Sequence, residues 1–228
     1  MSKKISLIIP AKNEVGSLGK VISEIKKSGI VDEIIIVVDS DSDSSINIAK
    51  KNDCKIIVQK KRGYGSAIIE GFRFAKNDYA CIYNADFSMD PKYLQRMIDK
   101  LNKNDFVFGT RYKGGSSEDD DIITFTGNKM FSFITKVFLG INLSDILYTY
   151  VLCDVEKFKR FNFKRNDFRF CIELPFFIHS NKYKYCEIPM HERKRYAGKK
   201  NVNVIKDGFL ILCEIFYRFY KKFSKQND

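Results

Sequence analysis

Tyr79-Ala80-Cys81-Ile82-Tyr83-Asn84-Ala85-Asp86-Phe87-Ser88-Met89-Asp90-Pro91 changes character part-way along. Tyr79 to Tyr83 is an apolar run with the length of a buried strand, and it gives way at once to Asn84, Asp86 and Asp90. Pro91 fits the first position of a following helix, where an N–H has no intrahelical partner to lose. Oxygen-bearing side chains thus gather at the carboxyl end of a strand, which in an open α/β sheet is the edge where ligands bind. A carboxylate there can hold a hard divalent cation, and the cation can neutralise a diphosphate. The same letters also describe a strand ending in a polar turn with an Asp N-cap.

The segments on either side repeat the pattern. Ile5-Ser6-Leu7-Ile8-Ile9 reads as a first buried strand that runs into Pro10-Ala11-Lys12-Asn13-Glu14. Leu18, Val21, Ile22 and Ile25 keep helical spacing until Gly29. Glu33 to Val38 is a second strand, which runs straight into Asp39-Ser40-Asp41-Ser42-Asp43, with a helix over 46–51. Lys55 to Val58 is a third strand. Strands alternating with helices predict a mostly parallel sheet covered on both faces. Three strand ends rich in acids and amides then converge on one crevice. Glu14 and Asp39 repel phosphate, but they suit the hydroxyls of a ribose or the edge of a base. Lys60-Lys61-Arg62-Gly63-Tyr64-Gly65-Ser66-Ala67 sets basic residues and glycines before a helix over 67–75, which makes a seat for an anion. Neither the P-loop pattern nor a G-x-G-x-x-G after the first strand is present.

The 228 residues suffice for one large domain, or one domain with an appendage. A net charge of +12 points to an anionic partner. Residues 182–228 carry much of it, with 12 Lys/Arg against five Asp/Glu. The six cysteines are scattered without a C-x-x-C pair, a pattern of reduced thiols in a cytosolic setting rather than a disulfide framework or zinc site. Met1 to Lys4 is too short for a signal peptide, and no apolar run approaches the ~18–20 residues of a spanning helix.

Taken in order, Pro10-Ala11-Lys12-Asn13-Glu14, Val38-Asp39-Ser40, Gly63-Tyr64-Gly65-Ser66-Ala67 with Gly71, Asn84-Ala85-Asp86 with Asp90-Pro91, and Gly109-Thr110-Arg111-Tyr112 resemble the signatures of the inverting family 2 glycosyltransferases, in particular the dolichol-phosphate mannose synthase-like branch. The resemblance spans roughly residues 5–208. It implies an α/β fold of the GT-A type: Rossmann-like, with a mixed, mostly parallel sheet flanked by helices. It also implies a nucleotide-diphosphate sugar donor, Mn2+ or Mg2+, and a lipid-phosphate or glycan acceptor. Pro10, Ala11, Glu14 and Asp39 match the nucleotide pocket, joined by Gly65, Asn84 and Ala85. Asp86 matches the last acid of the D-x-D motif that holds the metal, while Asn84 stands where its first Asp is usual. Arg111 and Glu173 fall on the acceptor side.

Leu143-Ser144-Asp145-Ile146-Leu147-Tyr148-Thr149-Tyr150 resembles the segment that carries the family's catalytic base, which assigns that role to Asp145. Ile146 and Tyr150 replace its usual Pro and Gly. His191 to Asn201 resembles the mobile basic loop that closes over the diphosphate. Arg195, Lys199 and Lys200 supply its charge there, and His191 is a candidate metal ligand. Gly114 to Asp121, with four consecutive acids, reads as a mobile solvated loop in preference to a second metal site. Residues 1–202 then form the transferase domain and 203–228 an appended basic amphipathic helix, suited to an anionic membrane surface or to packing on protein. The expected location is cytoplasmic, peripheral on the inner membrane face, with a homo-oligomer left open.

A nucleotidyltransferase would want its Gly-rich basic loop directly after the first strand, where Pro-Ala-Lys-Asn-Glu stands instead. Nucleic acid is not an expected partner, because acids crowd the crevice and no RNA-binding or zinc-finger pattern occurs. A family member acting as a scaffold or subunit without activity of its own is the remaining alternative.

Overall fold

The structure is a computed structural model and describes residues 3–198 and 203–224. Strands β1 (Ile5–Ala11), β2 (Glu33–Val38), β3 (Lys55–Val58) and β4 (Tyr79–Ile82) alternate with helices α1 (Leu18–Ser28), α2 (Ser45–Lys51) and α3 (Tyr64–Phe74). A 3-10 turn (Pro91–Tyr93), α4 (Leu94–Lys100), β5 (Phe106–Thr110), a two-residue β6 (Ser116–Ser117) and α5 (Ile122–Leu139) follow. The chain continues through β7 (Val151–Asp154), α6 (Val155–Lys159), α7 (Phe170–Ser180), β8 (Tyr185–Pro189), β9 (His191–Glu192) and α8 (Val204–Ser224).

Seven strands form one sheet in the order β3-β2-β1-β4-β7-β5-β8, and β6 pairs with β9 in a separate ribbon. Within the large sheet β7 alone runs antiparallel to its neighbours. The other six therefore end at one edge, and the segment before β7 arrives at that same edge. Alternate residues of β1 face opposite layers, as the period of a strand requires. Leu7 and Ile9 pack with Leu18, Val21 and Ile22 of α1, while Ile8 packs with Ala67, Ile68 and Phe72 of α3. The mixed, mostly parallel, doubly covered sheet predicted from the strand–helix alternation is present.

Element limits shift slightly. β4 stops at Ile82, and Tyr83 instead sends its hydroxyl to the carbonyl of Met89 at 2.8 Å. α3 begins at Tyr64, three residues before the expected start. Asp90 does cap the turn that follows: its Oδ1 accepts the Lys92 amide at 2.9 Å, with Pro91 at the first position. The stretch 114–121 departs further from its reading as a solvated loop. Pairing of β6 with β9 ties it to the basic loop, and Ser117 Oγ accepts the amides of Asp119 and Asp120.

α8 lies against α5 and α7. Ile211 and Ile215 are buried, and Phe138 of α5 meets the rings of Phe216 and Phe219 edge-on. Beneath it, Arg218 donates to Glu173 and Glu214 at 2.6 Å each, and Glu214 also pairs with Arg165. Among the described residues no helix is long and apolar enough to cross a membrane. All six cysteines are free thiols.

Candidate active site

The carboxyl edge of the sheet opens into a cleft of about 560 Å³. Its first end is built by the turns after β1, β2 and β3. Pro10, Ala11, Lys12, Glu14 and Asp39 line it, with Gln59 and Arg62 opposite. Two loops are locked together to make this wall. The buried Asp43 accepts the Asn13 amide, and Ser45 Oγ accepts the Glu14 amide at 2.9 Å. Asn13 takes a left-handed φ of 55° to turn the chain there. Asp39 is left facing the cleft and is paired with the exposed Lys12 at 3.4 Å. Burial pushes the Glu14 carboxyl up, against the pull of its hydrogen bond from Ser17.

The floor is Gly63 and Tyr64 at the start of α3. Gly63 has a φ of 134°, and a Cβ there would stand 2.2 Å from the carbonyl oxygen of Asn166. Gly65 serves the same close approach: its Cβ would meet the Arg165 carbonyl oxygen at 2.5 Å. It does not line the cleft, whereas its neighbours Gly63 and Tyr64 do. The Ser66 amide is already given to Asn166 O, which takes one N–H away from the anion seat. Tyr64 stacks on Phe168, and its hydroxyl meets Thr149 across the cleft.

Asn84, Ala85 and Asp86 occupy the centre. A left-handed Phe87, φ 72°, makes the turn so tight that Asp86 Oδ1 accepts the Ser88 amide at 3.0 Å. Asp86 Oδ2 faces Arg195 Nη2 at 3.2 Å, and the same guanidinium lies 3.5 Å from Asp119. Residues 193–198 lean over this point. Arg193 holds Glu24 through both nitrogens, the Tyr196 amide donates to Asp86 O, and Lys20 sits 3.5 Å from the Tyr196 ring centroid. Lys199 and Lys200 lie outside the described residues.

At the far end Arg111 is the hub. It donates to both oxygens of Asp145, to Glu192 at 3.0 Å and to Asp120 at 3.4 Å. The rings of Tyr148 and Tyr112 flank it. Burial opposes the charge on Arg111, but the bonds and charge of Asp145 outweigh it and hold the guanidinium protonated. Burial pushes the Glu192 carboxyl up. Asp145 is 1% exposed and stands behind the cleft wall, while Asp119, Asp120 and Glu192 line it.

Besides Gly65 and Asp145, two more expected site residues among those described are absent from the cleft lining. Glu173 is fully buried in α7, where it accepts the amides of Lys164 and Arg165 and pairs with Arg218. The His191 ring lies on the β6–β9 ribbon, with Nδ1 on Ser116 Oγ at 2.8 Å and Nε2 3.3 Å from Glu118, and is absent from the cleft lining. Sequence reasoning passed over Gln59, and it set Asp119 and Asp120 in a solvated loop rather than at the site. A two-residue strand such as β6 leaves no periodic signal, so nothing local announces that the acidic loop is folded inward.

The donor set suits a hard divalent cation. Asp86 and Asp119 both turn an oxygen toward one positive group, the Arg195 guanidinium, and Asn84 lines the same cleft. Among the described residues no group of three acids, histidines or cysteines is placed to hold a metal ion by itself. A cation here would thus need further oxygens from a bound diphosphate or water, which is how Mg2+ is commonly held.

The model of glycosyl transferase family 2 matches residues 6–161. The chain belongs to this family. A dolichol-phosphate mannosyltransferase of Pyrococcus furiosus is 33% identical over 125 residues, covering 51% of this chain and 36% of that protein. A low-salt glycan biosynthesis hexosyltransferase of Haloferax volcanii is 27% identical over 150 residues, covering 62% and 36%. The dolichol-phosphate mannosyltransferase of Saccharomyces cerevisiae is 29% identical over 136 residues, covering 53% and 49%. The match thus spans between about a third and a half of the length of these relatives. Glucosyl-3-phosphoglycerate synthase from Mycobacterium tuberculosis, in complex with Mn2+, UDP and phosphoglyceric acid, superposes with a TM-score of 0.75 at 15% identity over 95% of this chain and 78% of that one. The same enzyme with Mg2+ and UDP gives 0.74 at 17% identity, over 95% and 79%. The likeness is one of fold, and that fold is GT-A.

Proposed function

We propose that this family 2 chain is an inverting hexosyltransferase. It moves a sugar from a nucleotide-diphosphate donor to a polyprenyl phosphate, working as a peripheral protein at the cytoplasmic membrane face. The observation that carries the acceptor side is continuity. Thr124 and Asn128 of α5 and Val204 and Ile211 of α8 line the cleft, and the outer faces of the same two helices are apolar and exposed. Met130, Phe133 and Val137 form one stripe, and Ile205, Phe209, Phe216 and Tyr220 the other. Lys129, Lys136, Lys206, Lys221 and Lys222 are exposed on these helices. Aromatic stripes bordered by lysines suit an anionic bilayer surface, from which a lipid phosphate reaches the cleft directly.

In this reading Glu14 and Asp39 receive the nucleoside and Gly63–Tyr64 supports the diphosphate. Asp86 and Asp119 would hold Mn2+ or Mg2+, which supplies positive charge against the leaving diphosphate. An acceptor oxygen enters from the Arg111–Asp120 end and bonds to the anomeric carbon. The bond from that carbon to the diphosphate breaks, and its electron pair leaves with the diphosphate. A lipid phosphate is already ionised and needs little help from a base, which agrees with a site whose Asp145 is fully engaged by Arg111. A sugar hydroxyl would have to surrender its proton to one of the acids that line the cleft at this end, Asp120 or Glu192, each of which Arg111 also engages.

The test is transfer of radiolabelled hexose from UDP- and GDP-sugars, with Mn2+, to polyprenyl phosphate in anionic vesicles or to free oligosaccharide. Product in the vesicle arm, lost in Asp86→Ala, is the expected result. Product in the oligosaccharide arm alone replaces the lipid acceptor by a glycan. Failure of every donor to bind leaves a scaffold or a subunit that acts with a partner.

A further inference from the structure

Asn84 stands where the family motif has its first acid, so the strand-end motif brings one carboxylate, Asp86, rather than two. One oxygen of Asp86 is occupied by the Ser88 amide. An isolated carboxylate with one oxygen so engaged is a weak seat for a divalent ion, whose affinity follows the number and charge of its oxygen ligands. The missing charge is found across the cleft. Arg195 Nη2 lies 3.2 Å from Asp86 Oδ2 and 3.5 Å from Asp119 Oδ2, so the two carboxylates face the same guanidinium.

That group fits poorly. Arg195 Nε is buried and has no hydrogen-bond partner, although it lies 3.5 Å from Asp119 Oδ2. A buried unpaired N–H is costly, so the arrangement favours a smaller, spherical cation over the guanidinium. The position of Asp119 is not left to chance. Its amide donates to Ser117 Oγ at 3.2 Å, and the Glu118 amide donates to the Glu192 carbonyl at 2.9 Å. These bonds continue the β6–β9 ribbon and hold the acidic loop at the cleft wall.

We propose that Asp119 is the second carboxylate of the divalent-cation site, replacing the charge that Asn84 lacks, with the Arg195 guanidinium holding the place between Asp119 and Asp86 until the cation enters. This rests on the transferase reading of the cleft. It makes the metal site a product of two segments, the turn after β4 and the loop after β6, that meet only in the folded chain. Arg195 is then a competitor for the cation when no nucleotide is bound.

The test is Mn2+ binding itself, followed by the loss of the free-ion EPR signal, with and without UDP or GDP. Asp119→Asn is expected to weaken Mn2+ on the order of tenfold or more, as Asp86→Asn does. Glu118→Gln, in the same loop but paired outward with His191, should bind as wild type does. Arg195→Ala should bind Mn2+ alone more tightly. Adding Asn84→Asp to Asp119→Asn should restore the affinity, which a merely structural role of Asp119 would not allow. Wild-type affinity in Asp119→Asn overturns the proposal, as does a wild type that binds nucleotide without Mn2+, and both leave the donor site standing. Absence of binding to either nucleotide, with or without Mn2+, overturns the transferase reading and this proposal with it.

Discussion

Arg111 grips Asp145 with Nε 2.7 Å from Oδ2 and Nη2 2.9 Å from Oδ1, while its own backbone amide donates to the same Oδ2 at 3.0 Å. The pair stitches the end of β5 to the segment before β7, the antiparallel strand that β5 adjoins. A carboxylate so occupied is expected to orient a neighbour rather than to abstract a proton. Asp145→Asn is therefore expected to lower stability by about 3 kcal/mol, the scale of a broken buried ion pair. Urea denaturation measures this. Transfer to a lipid phosphate by the folded mutant should keep the wild-type pH profile. Loss of the acid limb from that profile, with stability unchanged, would return Asp145 to the role of base.

Arg218 and Glu173 couple α8 to the donor end of the cleft. Glu173 receives Arg218 on one side and the Lys164 and Arg165 amides on the other, and the Asn166 carbonyl presses on Gly63. Arg218→Ala leaves two buried carboxylates, Glu173 and Glu214, short of their partner. The expected loss is about 3–5 kcal/mol, read by thermal or urea unfolding, together with weaker nucleotide binding by calorimetry. An unchanged midpoint would mean that α8 is a true appendage and not part of the domain.

Gly63 is the tightest point of that same contact. An alanine there takes a left-handed strain of about 1–3 kcal/mol and sets a Cβ against the Asn166 carbonyl oxygen. Gly63→Ala should thus reduce both stability and affinity for a nucleoside diphosphate. By contrast Gly127, whose added Cβ meets nothing within 4 Å, should accept alanine without loss of either. Parallel melts and nucleotide titrations of the two variants check the pair.

The legible and hidden parts of this site divide by distance along the chain. Pro10 to Glu14, Asp39 and Asn84 to Asp86 sit at the ends of apolar strands, so a run of letters shows both the strand and the edge where it stops. Their convergence needed only the parallel order of β1, β2 and β4. Arg111, Asp145 and Glu192 meet across 34 and 81 residues, and no local pattern reports which acid an arginine will hold. Glu173 reads as an acid near the site, yet its partner Arg218 lies 45 residues on, in α8. Asp119 and Asp120 are carried inward by a two-residue ribbon, too short to leave a period. Gly65 was legible as a glycine at a helix start, but the carbonyl it avoids comes from the loop before α7.

Glu192 gives the site a pH dependence with a definite sign. Burial raises its carboxyl above the usual 4.5 in the folded protein, so the folded state binds that proton more tightly than the unfolded state does. Its ionisation therefore costs stability as pH climbs from the unfolded value through the raised folded one, and nothing further is lost above that. Glu192→Gln removes this contribution. The stability difference between mutant and wild type should move in the mutant's favour as pH rises from 4.5 toward neutrality, whatever its value at the acid end. Urea curves at several pH values measure the slope, and a difference that moved the other way would mean that Arg111 dominates and holds Glu192 ionised.

The α5–α8 face makes the prediction that separates a bilayer partner from a second copy of the chain. Phe133 and Phe209 are each about two-thirds exposed, 67% and 66%, and neither lines the cleft. Phe133→Glu with Phe209→Glu should therefore leave nucleotide binding intact. Each substitution removes apolar area from the bilayer contact and sets a carboxylate against anionic lipid. Co-sedimentation with vesicles rich in phosphatidylserine should fall on the order of tenfold or more. Wild-type sedimentation should fade as salt shortens the Debye length from roughly 10 Å at 0.1 M toward 3 Å at 1 M. Light scattering of the wild type without lipid gives the other outcome. A dimer that the double mutant dissolves, with no vesicle binding at all, would assign this face to self-association and take the lipid acceptor away with it.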